Sequence, residues 1–150
     1  MRHIRAVAGR VLSSEEMNGA DYRFAAVDSR DILANSDFGL VKSGTSTLEA
    51  ALIGTPFLIA YKLSYASWLI GRKLVRTPFK GLVNLIAGHE IVPEFIQSEA
   101  SPDALSETAL EHLERPDTHS AMKSRLGKIR ELLSSHCASE QVAAAVNGYL

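Results

Sequence analysis

The sequence predicts an α/β fold, in which a parallel sheet is flanked by helices and followed by a helical tail. Residues 38–41 and 57–61 are continuous apolar runs without alternation, which is typical of parallel strands covered on both faces. Each run is followed by small or polar residues and then by a stretch with helical character, as expected of strand–helix–strand units. A strand-like run at residues 4–8 and a short apolar run at residues 22–27 precede them, and only helical patterns follow residue 101.

The first helix is predicted from its capping residues. Asp28 or Ser29 can accept the free N–H groups at the start of a helix that runs through residue 35. Ile32 and Leu33 are expected to face the core. An acidic residue in the first turn also suits the positive end of the helix dipole.

Glycine and proline mark the ends of the later helices. A second helix is expected to end at Ile53, because Gly54 can close it and a Thr-Pro pair prevents its continuation. Residues 93–97 are expected to form a short turn of helix. Ser101 then caps a helix with proline at its first position, and this helix runs to about residue 113.

The tail carries an apolar stripe. Met122, Leu126, Ile129 and Leu133 recur at the spacing of one helix face, and a last helix is expected from Ser139. Such a stripe can pack across an interdomain cleft or against another subunit. We therefore expect a homodimer or poor solubility if it is left exposed.

Composition excludes several classes of function. The 150 residues suffice for one domain, and a net charge of −1 gives no basis for nucleic-acid binding. The single cysteine, Cys137, excludes an internal disulfide and a cysteine-rich metal site, and fits a cytoplasmic setting. No pair of histidines has the helical spacing of metal ligands, so no metal is expected. No apolar stretch approaches the length needed to cross a bilayer.

The turn after the first predicted strand is the strongest functional signal. It reads S-G-T-S from Ser43 through Gly44 and Thr45 to Ser46, between an apolar run and a helix-like stretch. Free backbone N–H groups at a helix start favour an anion, and Gly44 removes the side chain that would block a close approach. The turn is neither a P-loop nor the dinucleotide fingerprint, because the required glycines and lysine are absent.

Two interpretations of this turn compete for the carboxylate of Glu49. In one, Ser46 and Glu49 form a capping box that only ties off the helix start. In the other, Ser43, Gly44, Thr45 and Ser46 offer N–H and hydroxyl donors to a diphosphate, and Glu49 accepts hydrogen bonds from ribose hydroxyls. The spacing alone favours the capping box.

Two motifs resemble a known family. Residues 34–62 read A-N-S-D-F-G-L-V-K-S-G-T-S-T-L-E-A-A-L-I-G-T-P-F-L-I-A-Y-K, which resembles the C-terminal domain of lipid-A-disaccharide synthase. Residues 83–97 read V-N-L-I-A-G-H-E-I-V-P-E-F-I-Q, similar to that family's P-N-L-I-A-G-R-x-x-V-P-E-x-x-Q. Both motifs occur in the family's order and at its distance, and the resemblance covers most of residues 22–114.

The resemblance implies the C-terminal half of a GT-B fold, in which two Rossmann-like domains face each other across a cleft. The implied reaction transfers 2,3-diacylglucosamine, with inversion, from UDP to 2,3-diacylglucosamine 1-phosphate and releases UDP. It implies that the turn at residues 43–46 meets the UDP diphosphate and that Glu49 meets the ribose. No cofactor or metal is implied, because backbone donors and the helix dipole would stabilise the leaving diphosphate.

The second motif implies further donor-site residues. By resemblance, Asn84 lies at the mouth of the cleft, and Gly88 and His89 belong to the same site. The alternative for Asn84 is a turn residue that caps a preceding strand. His89 stands where the family has arginine or lysine, and Val83 replaces a proline.

Three polar residues of the same motif have a structural alternative. Glu90, Glu94 and Gln97 belong to the family pattern, but each could instead stabilise the short helix expected at residues 93–97.

Residues 65–76 are expected to form a helix capped by Ser64. Trp68 and its apolar neighbours lie beside basic residues, which suits peripheral contact with the inner membrane and its lipid substrates. The alternative is a buried helix with a solvated basic end, which is the commoner arrangement.

The resemblance also implies what this sequence does not contain. The acceptor site and the general base belong to the family's N-terminal half, so we expect a truncated donor-binding domain that is inactive alone. The alternatives are a UDP-binding module without chemistry, or a GT-B relative such as a UDP-N-acetylglucosamine 2-epimerase. The N-L-I-A-G and V-P-E-F-I-Q segments argue against the epimerase.

Overall fold

The computed structural model of the chain describes residues 28–64, 68–69, 77–134, 142 and 146–147. This part is an α/β unit with a parallel sheet of three strands in the order β1-β2-β3, flanked by helices. Its elements in chain order are α1 (Ser29–Ala34), β1 (Gly39–Lys42), α2 (Ser46–Ile53), β2 (Phe57–Tyr61), α3 (Leu82–Ala87), β3 (Glu94–Ile96), α4 (Pro102–Glu114) and α5 (Pro116–Ser134).

The sheet confirms the predicted Rossmann-like arrangement. Gly39 of β1 pairs with Phe57 of β2, and Ile59 of β2 pairs with Glu94 of β3, in parallel register throughout. Helix α2 connects the first pair of strands and α3 lies between the second pair. All three strands therefore end at one edge of the sheet, where the turn at residues 43–46 begins.

Burial differs between the two strands predicted from apolar runs. The run from Phe57 through Ile59 is fully buried, so the prediction of a strand covered on both faces is confirmed for β2. It is wrong for β1, in which Leu40 is 59% exposed. The prediction for α1 is also half right, since Leu33 packs against the core but Ile32 is 46% exposed.

The helix ends follow the predicted caps. The Asp28 side chain accepts a backbone N–H of the first turn of α1, and the Ser101 side chain does the same for α4. Gly54 ends α2 in the left-handed conformation, with φ of 87°. These features confirm the expected boundaries, because capping depends on residues next to one another in the chain.

The segment that follows α3 corrects one prediction. Residues 93–97 contain strand β3, not a turn of helix, because Ile59 donates its N–H to the Pro93 carbonyl and Gln97 donates to the Tyr61 carbonyl. The apolar run that contains Asn84 is itself helix α3, so the alternative of a turn residue capping a strand is wrong.

The apolar stripe of α5 closes the core. Met122, Leu126 and Ile129 are buried, and Leu133 packs against the same cluster. Helix α5 contacts α2, α3 and α4. The expectation that this stripe is left exposed for another domain or subunit is therefore wrong, while the expected homodimer stays a prediction.

Several predictions fall outside the described residues. These are the strand at residues 4–8, the apolar run at 22–27, and most of the helices expected at 65–76 and from residue 139 onward. Trp68 does donate its N–H to the Ser64 carbonyl, at 2.9 Å, as the predicted cap requires. Among the described helices, none combines the length and the apolar character needed to cross a bilayer.

Candidate functional site

The turn between β1 and α2 presents an open helix start. Gly44 has φ of 148°, and a methyl group on its Cα would meet no atom within 4 Å. The backbone N–H groups of Gly44, Thr45 and Ser46 donate to no residue that the structure describes. Unpaired donors at the positive end of an eight-residue helix form an anion-binding arrangement.

The capping-box interpretation of this turn is wrong. Thr45 is the residue that precedes the first helical position, and it makes no side-chain capping bond. Ser46 is already helical, so the reciprocal bonds of a capping box cannot form with Glu49. The Glu49 N–H instead donates to the Thr45 carbonyl, at 3.2 Å.

The carboxylate of Glu49 therefore remains available one turn into α2. It is half-buried and makes no hydrogen bond or ion pair within the described part of the chain. Arg30 of α1 is its basic neighbour: the pKa of Arg30 is raised mainly by hydrogen bonding to Asp28 and, to a smaller extent, by Glu49. A free acceptor beside free N–H donors suits a ligand that has both hydroxyl groups and anionic oxygens.

Two hydroxyl groups fix the shape of the turn. Ser43 Oγ donates to the Lys80 carbonyl, at 2.8 Å, and so joins the turn to the segment before α3. Thr47 is fully buried, and its hydroxyl donates to the Gly44 carbonyl at 2.7 Å. Sequence reasoning missed Thr47, because a threonine in the first turn of a helix has no distinctive pattern around it.

Asn84 lies inside the protein. Its side chain is fully buried, and its Oδ1 accepts from the N–H groups of Ile91 and Val92, at 2.9 and 3.1 Å. Its Nδ2 donates to the Val92 carbonyl and to Glu94 Oε1, both at 2.8 Å. Both N–H donors and both acceptor positions of the side-chain amide are used in these four hydrogen bonds, so in this arrangement Asn84 offers no atom to a ligand.

Glu94 links Asn84 by hydrogen bonds to the segment before α3, which in turn contacts the turn at residues 43–46. Its carboxylate also accepts the Gly81 N–H at 2.9 Å and the Lys80 N–H at 2.8 Å. A Cβ at Gly81 would lie 2.2 Å from Ile59 Cδ1 and 3.0 Å from Glu94 Oε1. Only glycine permits this approach without a shift of the buried Ile59 side chain or of the Glu94 carboxylate.

Gln97 anchors the loop after β2. Its side-chain Oε1 accepts the Leu63 N–H at 2.5 Å, and its Nε2 donates to the Leu63 carbonyl at 3.3 Å. The amide thus continues the strand pairing beyond β3, from a residue with φ of 57°. Glu94 and Gln97 therefore hold loops instead of stabilising a helix, while Glu90 is exposed.

Comparison with known proteins assigns the chain to a family. A family model described as lipid-A-disaccharide synthetase matches residues 8–146. The chain belongs to the lipid-A-disaccharide synthetase family.

Individual synthetase relatives agree with this assignment. A lipid-A-disaccharide synthase of Solibacter usitatus is 39% identical over 139 residues, which are 93% of this chain and 36% of that protein. A lipid-A-disaccharide synthase of Syntrophus aciditrophicus is 42% identical over 113 residues, which are 75% of this chain and 30% of that protein. The chain therefore spans about a third of the length of the synthases it matches.

Membership of the synthetase family confirms the resemblance found in the two motifs. The structure joins these motifs physically, since Ser43 of the first contacts Lys80, which Glu94 of the second holds. Gly88 ends α3 in the left-handed conformation, and His89 Nδ1 lies 2.8 Å from the Ala87 carbonyl.

Gly88 and His89 are exposed at the far end of α3 from the Ser43 contact. A six-residue helix is about 9 Å long. No contact joins these two residues to the turn within the described ranges, and their place in a synthetase donor site stays a prediction.

Proposed function

We propose that the chain binds the UDP portion of a sugar donor in a glycosyltransferase of lipid A biosynthesis. The proposed reaction transfers 2,3-diacylglucosamine from UDP to 2,3-diacylglucosamine 1-phosphate, giving lipid A disaccharide and UDP. Membership of the lipid-A-disaccharide synthetase family and the likeness to two lipid-A-disaccharide synthases support it. The observation that carries the proposal is the open start of α2, where the N–H groups of residues 44–46 and the Glu49 carboxylate of the first turn have no hydrogen-bond partner among the described residues.

The diphosphate would bind at the turn between β1 and α2. Backbone N–H groups of Gly44, Thr45 and Ser46 would donate to its oxygens, and the α2 dipole would favour its negative charge. These donors are already oriented, so they would stabilise the charge that develops on the leaving UDP. In this proposal the leaving group needs no metal ion.

The ribose would bind at Glu49. Its carboxylate is an acceptor without a described partner, and the two ribose hydroxyls are donors. Hydrogen bonds to a charged acceptor are stronger than neutral ones, so this contact would contribute both affinity and selection for a ribonucleotide.

We place the acceptor site and the general base in a part of the synthase outside this chain, which spans about a third of its relatives. Both substrates carry acyl chains, so we also propose that the reaction occurs at the cytoplasmic face of the inner membrane. A UDP-binding module without chemistry would use the same turn, and an activity assay with the acceptor distinguishes it.

Calorimetric titration of the full 150-residue chain with UDP tests the proposal. We expect the wild type to bind UDP and Glu49→Ala to bind about tenfold more weakly, because a charged hydrogen-bond acceptor is lost. Glu107→Ala, at an exposed position of α4, is the matched control and should leave the affinity unchanged.

An analogue of UDP that lacks both ribose hydroxyls sharpens this test. It should bind the wild type and Glu49→Ala with equal affinity, since the contact that Glu49 would make is absent from the ligand. Equal affinity of both proteins for UDP itself would exclude the ribose role. A wild type that does not bind UDP would contradict the proposed function.

A further inference from the structure

We infer that Glu94 and Asn84 are positioning residues for the proposed UDP site, acting through Lys80 and Ser43. The inference rests on the proposed function, because it assigns these residues a part in shaping the diphosphate-binding turn. Neither side chain would contact the ligand itself. Ser43, Lys80, Asn84 and Glu94 lie on four separate elements or loops, so no local pattern of sequence connects them.

The hydrogen bonds that link Glu94 to Ser43 pass through the backbone N–H and the backbone carbonyl of Lys80. The Lys80 N–H donates to Glu94 Oε2 at 2.8 Å, and the Lys80 carbonyl accepts from Ser43 Oγ at 2.8 Å. Glu94 thus holds the backbone segment whose carbonyl anchors the turn. Through this segment, strand β3 sets where the residue after β1 lies.

Asn84 in turn fixes the Glu94 carboxylate. Its Nδ2 donates to Glu94 Oε1 at 2.8 Å, while Oδ1 is held by the N–H groups of Ile91 and Val92. The amide is fully buried, so it cannot rotate without leaving polar atoms unpaired. The Glu94 carboxylate therefore accepts three hydrogen bonds, from Asn84 Nδ2 and from the backbone N–H groups of Gly81 and Lys80. Together these three donors fix its orientation.

The connection changes the role expected of Ser43. Its hydroxyl proton is engaged by the Lys80 carbonyl, so in this arrangement the side chain has no proton to donate to a phosphate oxygen. Ser43 would act by holding the following N–H groups, those of Gly44, Thr45 and Ser46, in a fixed direction. Preorganised donors bind an anion more tightly than donors that must first be ordered.

A double-mutant cycle on UDP affinity tests the inference, with Glu94→Gln, Ser43→Ala and the double variant. Glutamine can keep one acceptor oxygen towards Gly81 and Asn84, but it turns an NH2 group towards the Lys80 N–H. We expect each single variant to bind UDP about fivefold to tenfold more weakly, the size of one lost hydrogen bond. The double variant should bind no more weakly than the weaker single variant, because both changes break one connection.

Glu107→Gln is the matched control, since Glu107 is an exposed glutamate of α4 outside both motifs. It should leave UDP affinity unchanged. If Glu94 had a purely structural role, Glu94→Gln would lower the unfolding midpoint while UDP affinity stayed the same. If Glu94 and Ser43 acted independently, their two effects on UDP affinity would multiply in the double variant. Either result would overturn the inference while leaving the proposed function intact, provided that the wild type binds UDP.

Variants at Ser43 keep the test decisive if Glu94→Gln does not fold. Ser43→Thr retains the hydroxyl group and should restore the affinity that Ser43→Ala loses. Equal affinity of these two variants would show that the bond to Lys80 does not shape the site. Failure of the wild type to bind UDP is a separate outcome, because it contradicts the proposed function before any variant is compared.

Discussion

At the residue scale, Gly81 is the position beside the candidate site that leaves the least room for a side chain. A Cβ there would lie 2.2 Å from Ile59 Cδ1, and the Ile59 side chain is fully buried in the core. The same Cβ would lie 3.0 Å from Glu94 Oε1. The absence of a side chain therefore lets the Gly81 N–H reach the carboxylate that organises the segment before α3.

We predict that Gly81→Ala destabilises the chain by about 1–3 kcal/mol, since the added methyl group overpacks a buried region. Urea unfolding followed by circular dichroism measures the change. Gly127→Ala is the control, because Gly127 lies within α5 and a methyl group there would meet no atom within 4 Å. That variant should be more stable by roughly 0.5–1 kcal/mol, from helix propensity alone. Equal effects at the two glycines would contradict the argument from packing.

At the element scale, helix α4 packs against the segment before β1 through His112. The His112 ring stacks on Phe38, with centroids 5.3 Å apart and planes at 18°. Its Nδ1 is buried and has no hydrogen-bond partner among the described residues. Burial is the main cause that lowers the pKa of His112. The Glu111 carboxylate acts in the opposite direction, and the positive charges of His119 and Arg125 lower the pKa further.

We predict that acidification destabilises the wild type through His112. The unfolded chain takes up a proton near the ordinary pKa of 6.5, but the folded chain does so only at lower pH, so stability falls as the pH drops below that value. His112→Phe should remove this part of the pH dependence and should be more stable at neutral pH by about 1 kcal/mol, because an unpaired buried nitrogen is replaced by an apolar ring. Urea unfolding at about pH 7.5 and about pH 5 measures both effects. Parallel pH dependence of the two proteins would exclude His112 as its source.

At the scale of the whole molecule, α5 closes the core of the described unit. Leu126 is fully buried and belongs to a cluster with Ala50 and Ala51 of α2 and Val83 of α3. Helix α5, the second helix after the sheet, thus packs on the helices that hold the candidate site. Stability of the site and packing of the tail are therefore linked.

We predict that Leu126→Ala destabilises the chain by about 2–5 kcal/mol, because it leaves a cavity in this cluster. Leu110→Ala is the matched control: Leu110 of α4 is 52% exposed, and its removal should change stability by no more than about 0.5 kcal/mol. Chemical denaturation measures both variants. Similar losses at the two leucines would mean that α5 does not close the core.

The sequence by itself determined the features that depend on neighbouring residues. The caps at Asp28 and Ser101 and the left-handed stop at Gly54 were predictable, because each uses donors or torsions within one turn of the chain. The strand β2 was predictable for a related reason, since five consecutive apolar residues suit a strand buried on both faces. The two motifs also sufficed to identify the family.

Only the tertiary structure decided the features that depend on distant partners. Residues 93–97 contain a strand because the backbone of β2 is there to pair with them, which no local propensity encodes. The stripe of α5 is covered because α2 and α3 lie beneath it. Ser43 is tied to Lys80 because a donor and an acceptor 37 residues apart meet only in the folded chain. Asn84 is inside because the Ile91 and Val92 N–H groups and the Glu94 carboxylate, all outside its own helix, pair with its amide. Burial makes the bonds of Asn84 obligatory, and that is the physical reason why this part of the site took its shape from the fold and not from the motif alone.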